Sequence, residues 1–277
     1  MTSSGFPPDW IEPQWPAPAR VRAVFSTRAG GVSSGLFESM NLGDHVGDDP
    51  AAVAQNRRRL AERLQARPVF MQQVHGQQVL CLAADSPDGQ PADGALALQP
   101  GLACVVMVAD CLPILLAHEQ VPVVAALHAG WRGLAGQGSA SLLGQGIVEA
   151  GWAQLQAATG LSDQALSSGL VAWLGPCIGP EAFEVGPEVR EAFLACQPEA
   201  QSCFKPGAPG KFLADLPALA RLRLQRLGIH RIFGNDGSPG WCTVTQSGFF
   251  SHRRVSGRAG ALPGDTGGRM AACIWMD

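Results

Sequence analysis

Cys111 and His128 are the side chains of this 277-residue chain whose surroundings point most directly to chemistry. Each stands where an apolar run meets unusual polar sequence, in Val108-Ala109-Asp110-Cys111-Leu112-Pro113 and Leu127-His128-Ala129-Gly130-Trp131-Arg132-Gly133. Upstream, Gln72-Gln73-Val74-His75-Gly76-Gln77 breaks a strand pattern in a similar way. One cysteine and two histidines are ligand types suited to a borderline-soft ion such as zinc. A thiol beside an imidazole is also a nucleophile pair, because the histidine favours the thiolate and accepts its proton. Three readings therefore stand: a Cys/His/His zinc site, a metal-free Cys111–His128 pair, or a buried cysteine near a hydrogen-bonded histidine. Spacing does not choose the third ligand, since no zinc-finger or His-Glu-x-x-His pattern is present. A cluster of several copper ions would need many more imidazoles than the six histidines here.

Hairpin register supplies a reason for Cys111 and His128 to meet. A turn centred between Glu119 and Gln120 pairs Leu116 with Val123 and Ala117 with Pro122. The same ladder sets Cys111 opposite His128. Directly opposed residues share a face, with Cβ atoms roughly 4.5–5.5 Å apart. A one-residue slip would send them to opposite faces, and Pro122 is a natural place for a bulge. Of the other histidines, His118 in the turn and His230 after a helix read as surface residues. His45 lies in an irregular polar loop, Leu42-Gly43-Asp44-His45-Val46-Gly47-Asp48-Asp49.

The elements that must position these groups alternate without a simple βαβ period. Residues 21–28 alternate as a strand and stop at Gly30-Gly31. A helix over 49–64 is signalled by Asp49 as cap and Pro50 in its first turn. Strands follow over 69–74, 78–83, 95–98 and 103–108, then the two arms of the hairpin. A glycine-diluted helix is expected over 134–157, a strand over 170–174, and helices over 187–195 and 215–227. Asp215 caps the last of these and Gly228 ends it. Strands over 229–233 and 270–275 complete one mixed α/β domain. The proline- and tryptophan-rich residues 1–20 read as an extended surface arm, and 21–277 as the catalytic domain.

Composition is that of an ordinary globular protein, 46% apolar and 16% charged with a net charge of −3. It gives no electrostatic reason to expect nucleic acid or an anionic membrane as a partner. The longest apolar runs fall far short of the roughly 20 residues that span a bilayer. No basic stretch leads into an apolar run over Met1–Ile11, so a secretory signal is not expected. The eight cysteines then read as free thiols of a reducing, cytoplasmic compartment, with Cys81, Cys104 and Cys273 as small core residues.

Several long motifs in order resemble the YfiH/YlmD family, also described as laccase-domain or multicopper polyphenol oxidase proteins. They are Phe25-Ser26-Thr27-Arg28-Ala29-Gly30-Gly31-Val32-Ser33, Asn41-Leu42-Gly43-Asp44-His45-Val46-Gly47-Asp48, Gln73-Val74-His75-Gly76, Ala109-Asp110-Cys111-Leu112-Pro113, His128-Ala129-Gly130-Trp131-Arg132-Gly133 and Phe249-Phe250-Ser251-His252-Arg253-Arg254. The resemblance implies a single-domain α+β fold, an α/β/β/α layered sandwich with mixed, largely antiparallel sheets, shared with a group of cysteine hydrolases. It implies that His75, Cys111 and His128 hold one zinc ion. The implied activity is phosphate-dependent cleavage of adenosine, inosine, guanosine and methylthioadenosine, with adenosine deamination beside it and peptidoglycan-precursor editing as a further role.

On that reading, Asp110 and then Glu184 are candidates to carry protons in deamination. Arg28, Arg132 and Arg253 suit phosphate through their guanidinium geometry, and Asn41 and His252 join them as substrate contacts. Two departures from the family pattern stand out: His252 and Phe183 each occupy a position where tyrosine is usual. A histidine at 252 introduces a pH-sensitive contact.

Overall fold

The computed structural model describes residues 6–136, 144–262 and 264–277. After β1 (Val21–Phe25), α1 (Pro50–Leu64) starts at its expected cap, with Asp49 Oδ1 accepting from the Ala51 amide at 3.0 Å. Strands β2 (Arg67–Phe70), β3 (Val79–Leu82), β4 (Gly94–Ala97), β5 (Leu102–Val108), β6 (Leu112–His118) and β7 (Val124–Ala129) follow. Helices α2 (Trp131–Ala135), α3 (Ile147–Thr159) and α4 (Asp163–Gly169) lead into β8 (Leu170–Leu174). Then come β9 (Glu184–Val185), α5 (Pro187–Leu194), β10 (Phe204–Pro206), β11 (Phe212–Ala214), α6 (Leu216–Arg226), β12 (Ile232–Gly234), α7 (His252–Ser256) and β13 (Met270–Met276).

The helix expected over 134–157 is not continuous. Gly136 takes φ +76° and ends α2, and α3 starts only at Ile147; residues 137–143 of that expectation lie outside the described residues. Helix α4 is an addition to the expected elements, and Ser162 caps it through the Ala165 amide.

Strands β5, β6, β8 and β13 are buried at every position. Such runs must be covered on both faces, and the alternation of their side chains shows by what. In β13, Met270, Ala272, Ile274 and Met276 face one core, while Ala271, Cys273 and Trp275 face another with α1 residues Leu60 and Leu64. In β6, Leu115 and Ala117 share the first core with β13, whereas Leu112, Ile114 and Leu116 pack with residues of α3, α5 and α6. The result is an α/β/β/α sandwich. A four-stranded sheet, β1-β13-β5-β2, lies against a six-stranded sheet, β12-β8-β6-β7-β4-β3, and β10-β11-β9 form a small third sheet. Among these strands of the described residues, only the β2–β5, β3–β4 and β8–β12 pairs are parallel.

The β6–β7 hairpin corrects the register expected for Cys111. Ala117 pairs with Val124 and Pro113 with His128, a shift of two residues, so Cys111 precedes β6 and is not opposed to His128. His118 explains the longer turn. Its Nδ1 accepts from the amides of Gln120 and Val121 at 3.2 and 3.1 Å, while its Nε2 lies 3.2 Å from the Ala165 carbonyl. This histidine is buried, not a surface residue. An even shift preserves the face on which a side chain lies, so Cys111 and His128 still both point between the sheets.

Residues 6–20 contain no helix or named strand, yet Trp10 is buried and Ile11 exchanges two backbone hydrogen bonds with Phe25. Among the described residues no helix is long and apolar enough to cross a membrane.

Candidate metal and substrate site

His128 faces the space between the sheets because its neighbours Ala126 and Leu127 alternate between the inter-sheet and helix-side cores. Cys111 lies beside the opening of β6, and His75 on the loop between β2 and β3 reaches the same edge of the sandwich. Their ligand atoms all fall within 4.8 Å of one another. Cys111 Sγ is 3.7 Å from His75 Nε2, and the two imidazole rings meet edge to face at 4.8 Å. His75 is exposed, Cys111 half-buried and His128 buried. Gly130 makes this convergence possible: a Cβ there would lie 2.8 Å from His75 Cδ2 and 3.0 Å from Cys111 Sγ.

The two histidine ligands are held by one carboxylate that sequence reasoning missed. Asp93, fully buried ahead of β4, accepts from His128 Nδ1 at 2.8 Å and from the His75 amide at 2.9 Å through Oδ1. Its Oδ2 accepts from the amides of Val74 and Gly76 at 3.2 and 2.6 Å. Three consecutive amides thus converge on one anion, which holds His75 in its left-handed conformation at φ +59°. Gln73 clamps the same loop to β5 by exchanging two hydrogen bonds with the Met107 backbone. The only local signal was an acid in Ala92-Asp93-Gly94, directly before a buried strand.

The electrostatics favour a thiolate. Burial alone would push the Cys111 thiol up, but the charge of His128 and the hydrogen bonds of His128 and His75 outweigh it, bringing the thiol down to about 6. Burial would likewise lower His128, yet the Cys111 thiolate and Asp93 hold it up at about 9. The donors fit a metal ion. Ideal tetrahedral bonds to one sulfur and one nitrogen place those atoms about 3.6 Å apart, close to the 3.7 Å seen between Cys111 and His75. With Nδ1 donating to Asp93, His128 turns its Nε2 lone pair to the site. Three protein ligands leave one position for a further group.

A cavity of about 400 Å³ opens onto these residues, within the usual range for small-molecule sites. Arg132, His252 and Arg253 line it with Asp110. Asp110, at φ +90°, accepts from Thr243 Oγ1 at 2.6 Å and from the Arg253 amide at 2.7 Å, while its carbonyl accepts from Ile178. Both carboxylate oxygens therefore brace the segments that bear the pocket wall, a positioning role that the residue has whether or not it carries protons. The structure does not bring Arg28, Asn41 or Glu184 into this lining. Arg28 lies over the Phe250 ring and donates to the Glu38 carbonyl. Asn41 is buried, bonded to Gly43, Asp48 and the Arg269 amide. Glu184 is exposed on β9 and accepts from the Ala208 amide. Arg269 and His45 do line the cavity; Arg269 escapes sequence reasoning because a lone arginine in Gly268-Arg269-Met270 carries no distinguishing signal.

The family described as multi-copper polyphenol oxidoreductase laccase matches residues 22–277. Purine nucleoside phosphorylase PA4543 of Pseudomonas aeruginosa is 46% identical over 269 residues, covering 96% of this chain and 98% of that protein. Purine nucleoside phosphorylase YfiH of Escherichia coli is 43% identical, with the same coverage of each chain. Among solved structures, the Neisseria meningitidis protein NMB0706 superposes with a TM-score of 0.81 at 40% identity, covering 97% of this chain and 99% of that one. YlmD from Geobacillus stearothermophilus superposes at 0.79 with 30% identity, covering 96% of each.

Proposed function

Because this chain belongs to the multi-copper polyphenol oxidoreductase laccase family, we propose that it is a zinc-containing purine nucleoside phosphorylase. Relatives named purine nucleoside phosphorylase match over nearly their whole length. The observation that carries the reading is the meeting of a Cys/His/His donor set with a cationic cavity wall. The first suits a metal and the second an oxyanion. His75, Cys111 and His128 would hold the ion; one thiolate and two imidazoles are donors that zinc accepts. Bound there, zinc supplies Lewis-acid polarisation to a ligand in the pocket.

The protein's own residues do the rest. Arg132 and Arg253 bring positive charge to phosphate, and Phe183 and Trp131 provide apolar and aromatic surface for the purine. His252 stands where it can donate to the departing base. Arg28, Asn41 and Glu184 hold the surrounding walls, and residues 21–277 act as the catalytic domain with 1–20 as its arm. Adenosine, inosine, guanosine and methylthioadenosine are the proposed substrates, in a cytoplasmic setting, with deamination of adenosine as a secondary activity.

A second reading rests on a specific observation: Cys111, His128 and Asp93 also form a thiolate–imidazole–carboxylate chain. In metal-free protein that chain suits a cysteine hydrolase acting on an amide, with a peptidoglycan precursor as the substrate class. A product-resolved nucleoside assay, with and without phosphate on protein of known metal content, tests the main reading, and amide hydrolysis retained by metal-depleted protein and lost in Cys111→Ala would favour the second. Phosphorolysis releases free base only with phosphate; deamination gives inosine and ammonia without it. Full nucleoside turnover by Cys111→Ala, or by protein stripped of zinc, would overturn the main reading.

A further inference from the structure

Of the arginines near the cavity, most have their guanidinium groups already committed. The terminal nitrogens of Arg253 donate to the Ala182 and Glu184 carbonyls at 3.3 and 3.2 Å. Those of Arg254 donate to carbonyls of Thr243, Val244, Gln246 and Phe249. Arg132 is exposed and stacked on Trp131.

Arg269 differs. It is half-buried in the wall, and each side-chain hydrogen bond it makes with the described residues runs through Nη1, to Thr266 Oγ1 at 3.1 Å and to the Gly267 and Gly268 carbonyls at 2.7 and 3.4 Å. Its backbone is fixed as well, the amide donating to Asn41 Oδ1 at 2.8 Å. Its stem passes across Gly43, where a Cβ would lie 2.7 Å from Arg269 Cγ. Nε and Nη2 make no hydrogen bond with the described residues, and no carboxylate among them pairs with the group.

A guanidinium anchored on one nitrogen, with the remaining edge uncommitted, is a preorganised fork for a tetrahedral oxyanion. The anchoring matters because a fixed side chain loses little freedom on binding. Burial is unfavourable for a cation, and here the charges of Cys111 and Asp110 offset it only in part; an arriving anion relieves it further. The charge of Arg269 is felt at Cys111 and at His45, so an anion held there sits beside the proposed metal ligands. Asp110, the carboxylate that lines this cavity, accepts from Thr243 and the Arg253 amide and makes no hydrogen bond to Arg269.

We propose that Arg269, through its free Nε and Nη2 edge, is the main phosphate-binding side chain of this cavity, ahead of Arg132 and Arg253. The assignment rests on the phosphorylase reading for its ligand. Steady-state kinetics on the zinc-loaded enzyme, and thermal unfolding with and without inorganic phosphate, test it. Arg269→Met should raise KM for phosphate by roughly 10- to 100-fold, the worth of about one charge-assisted hydrogen bond. KM for the nucleoside should stay within about twofold, and zinc content should be unchanged. Arg269→Lys, which keeps the charge and loses the fork, should fall between, and it serves as the readout should the methionine variant not fold. Phosphate should raise the Tm of the unaltered protein and leave that of Arg269→Met unmoved.

An unchanged phosphate KM, or an undiminished phosphate-induced rise in Tm in either variant, would overturn the assignment. If the unaltered protein shows no phosphorolysis, yet phosphate stabilises it and not Arg269→Met, the anion site stands and the phosphorylase reading falls.

Discussion

Replacing Asp93 with asparagine tests the positioning of the site most sharply. The change is nearly isosteric, but an amide offers one acceptor edge and one donor edge. Both edges of Asp93 face donors: His128 Nδ1 and the His75 amide on one side, the Val74 and Gly76 amides on the other. Turned one way, its NH2 group confronts the Val74 and Gly76 amides; turned the other, it confronts the His75 amide and suits His128 only if the imidazole switches tautomer, all at a fully buried position. Charge-assisted bonds are worth about 1.5–3 kcal/mol each, and a buried donor left unpaired costs about 1–3 kcal/mol. Relaxation of the exposed His75 loop offsets part of that sum, so a net loss of about 3–5 kcal/mol is expected, in line with breaking a buried charged pair. Metal affinity should also fall by roughly 10- to 100-fold, because the His128 tautomer and the His75 loop are no longer fixed. Denaturant unfolding of the metal-free protein and chelator competition on the loaded protein measure the two effects separately. An Asp93→Asn protein that unfolds within about 1 kcal/mol of the original and keeps its metal affinity would refute the positioning role.

Gly130→Ala should leave the fold intact, since Gly130 has φ −68°, yet its Cβ would press on His75 Cδ2 and Cys111 Sγ; chelator competition should show at least a roughly tenfold weaker metal site. In metal-free protein, Cys111 thiolate absorbance should titrate with a midpoint near 6, against an ordinary value of 9.0; a midpoint near 9 would contradict the ion-pair picture. The linked stability follows by sign. The raised His128 contributes fully below 6.5 and loses its contribution as pH rises through about 9, while the lowered Cys111 contributes above 9.0 and loses it as pH falls through about 6. The two slopes oppose each other between 6.5 and about 9, so this pair should leave metal-free stability nearly flat there in a pH series of denaturant melts.

How far each feature could be read from the chain depended on how local its cause is. The Asp49 and Asp215 caps and the Gly228 stop depend on a few neighbouring residues, and each lies in the structure where the residues place it; strand ends depend on pairing partners, so the strands expected over 69–74 and 229–233 lie instead over Arg67–Phe70 and Ile232–Gly234. The uniformly apolar runs at 102–108 and 270–276 imply burial on both faces, which is already most of a layered sandwich. Cys111, His128 and His75 were legible from residue type and context, and parity put the first two on one face even though the ladder was two residues out. That error had a side-chain cause. His118 binds two amides of its own turn, a contact invisible to a count of loop length.

Asp93 and Arg269 could be found only once the chain was folded. Neither has a motif of its own. The meaning of Asp93 comes from donors on β7 and on the 74–76 loop, and that of Arg269 from which of its nitrogens are left without a partner. The sequence by itself therefore determined which atoms are able to ligate or bind an anion, because that is a property of residue type. Tertiary structure alone decided which of them are aimed, braced and uncommitted. Those properties depend on hydrogen bonds and packing between segments far apart in the chain.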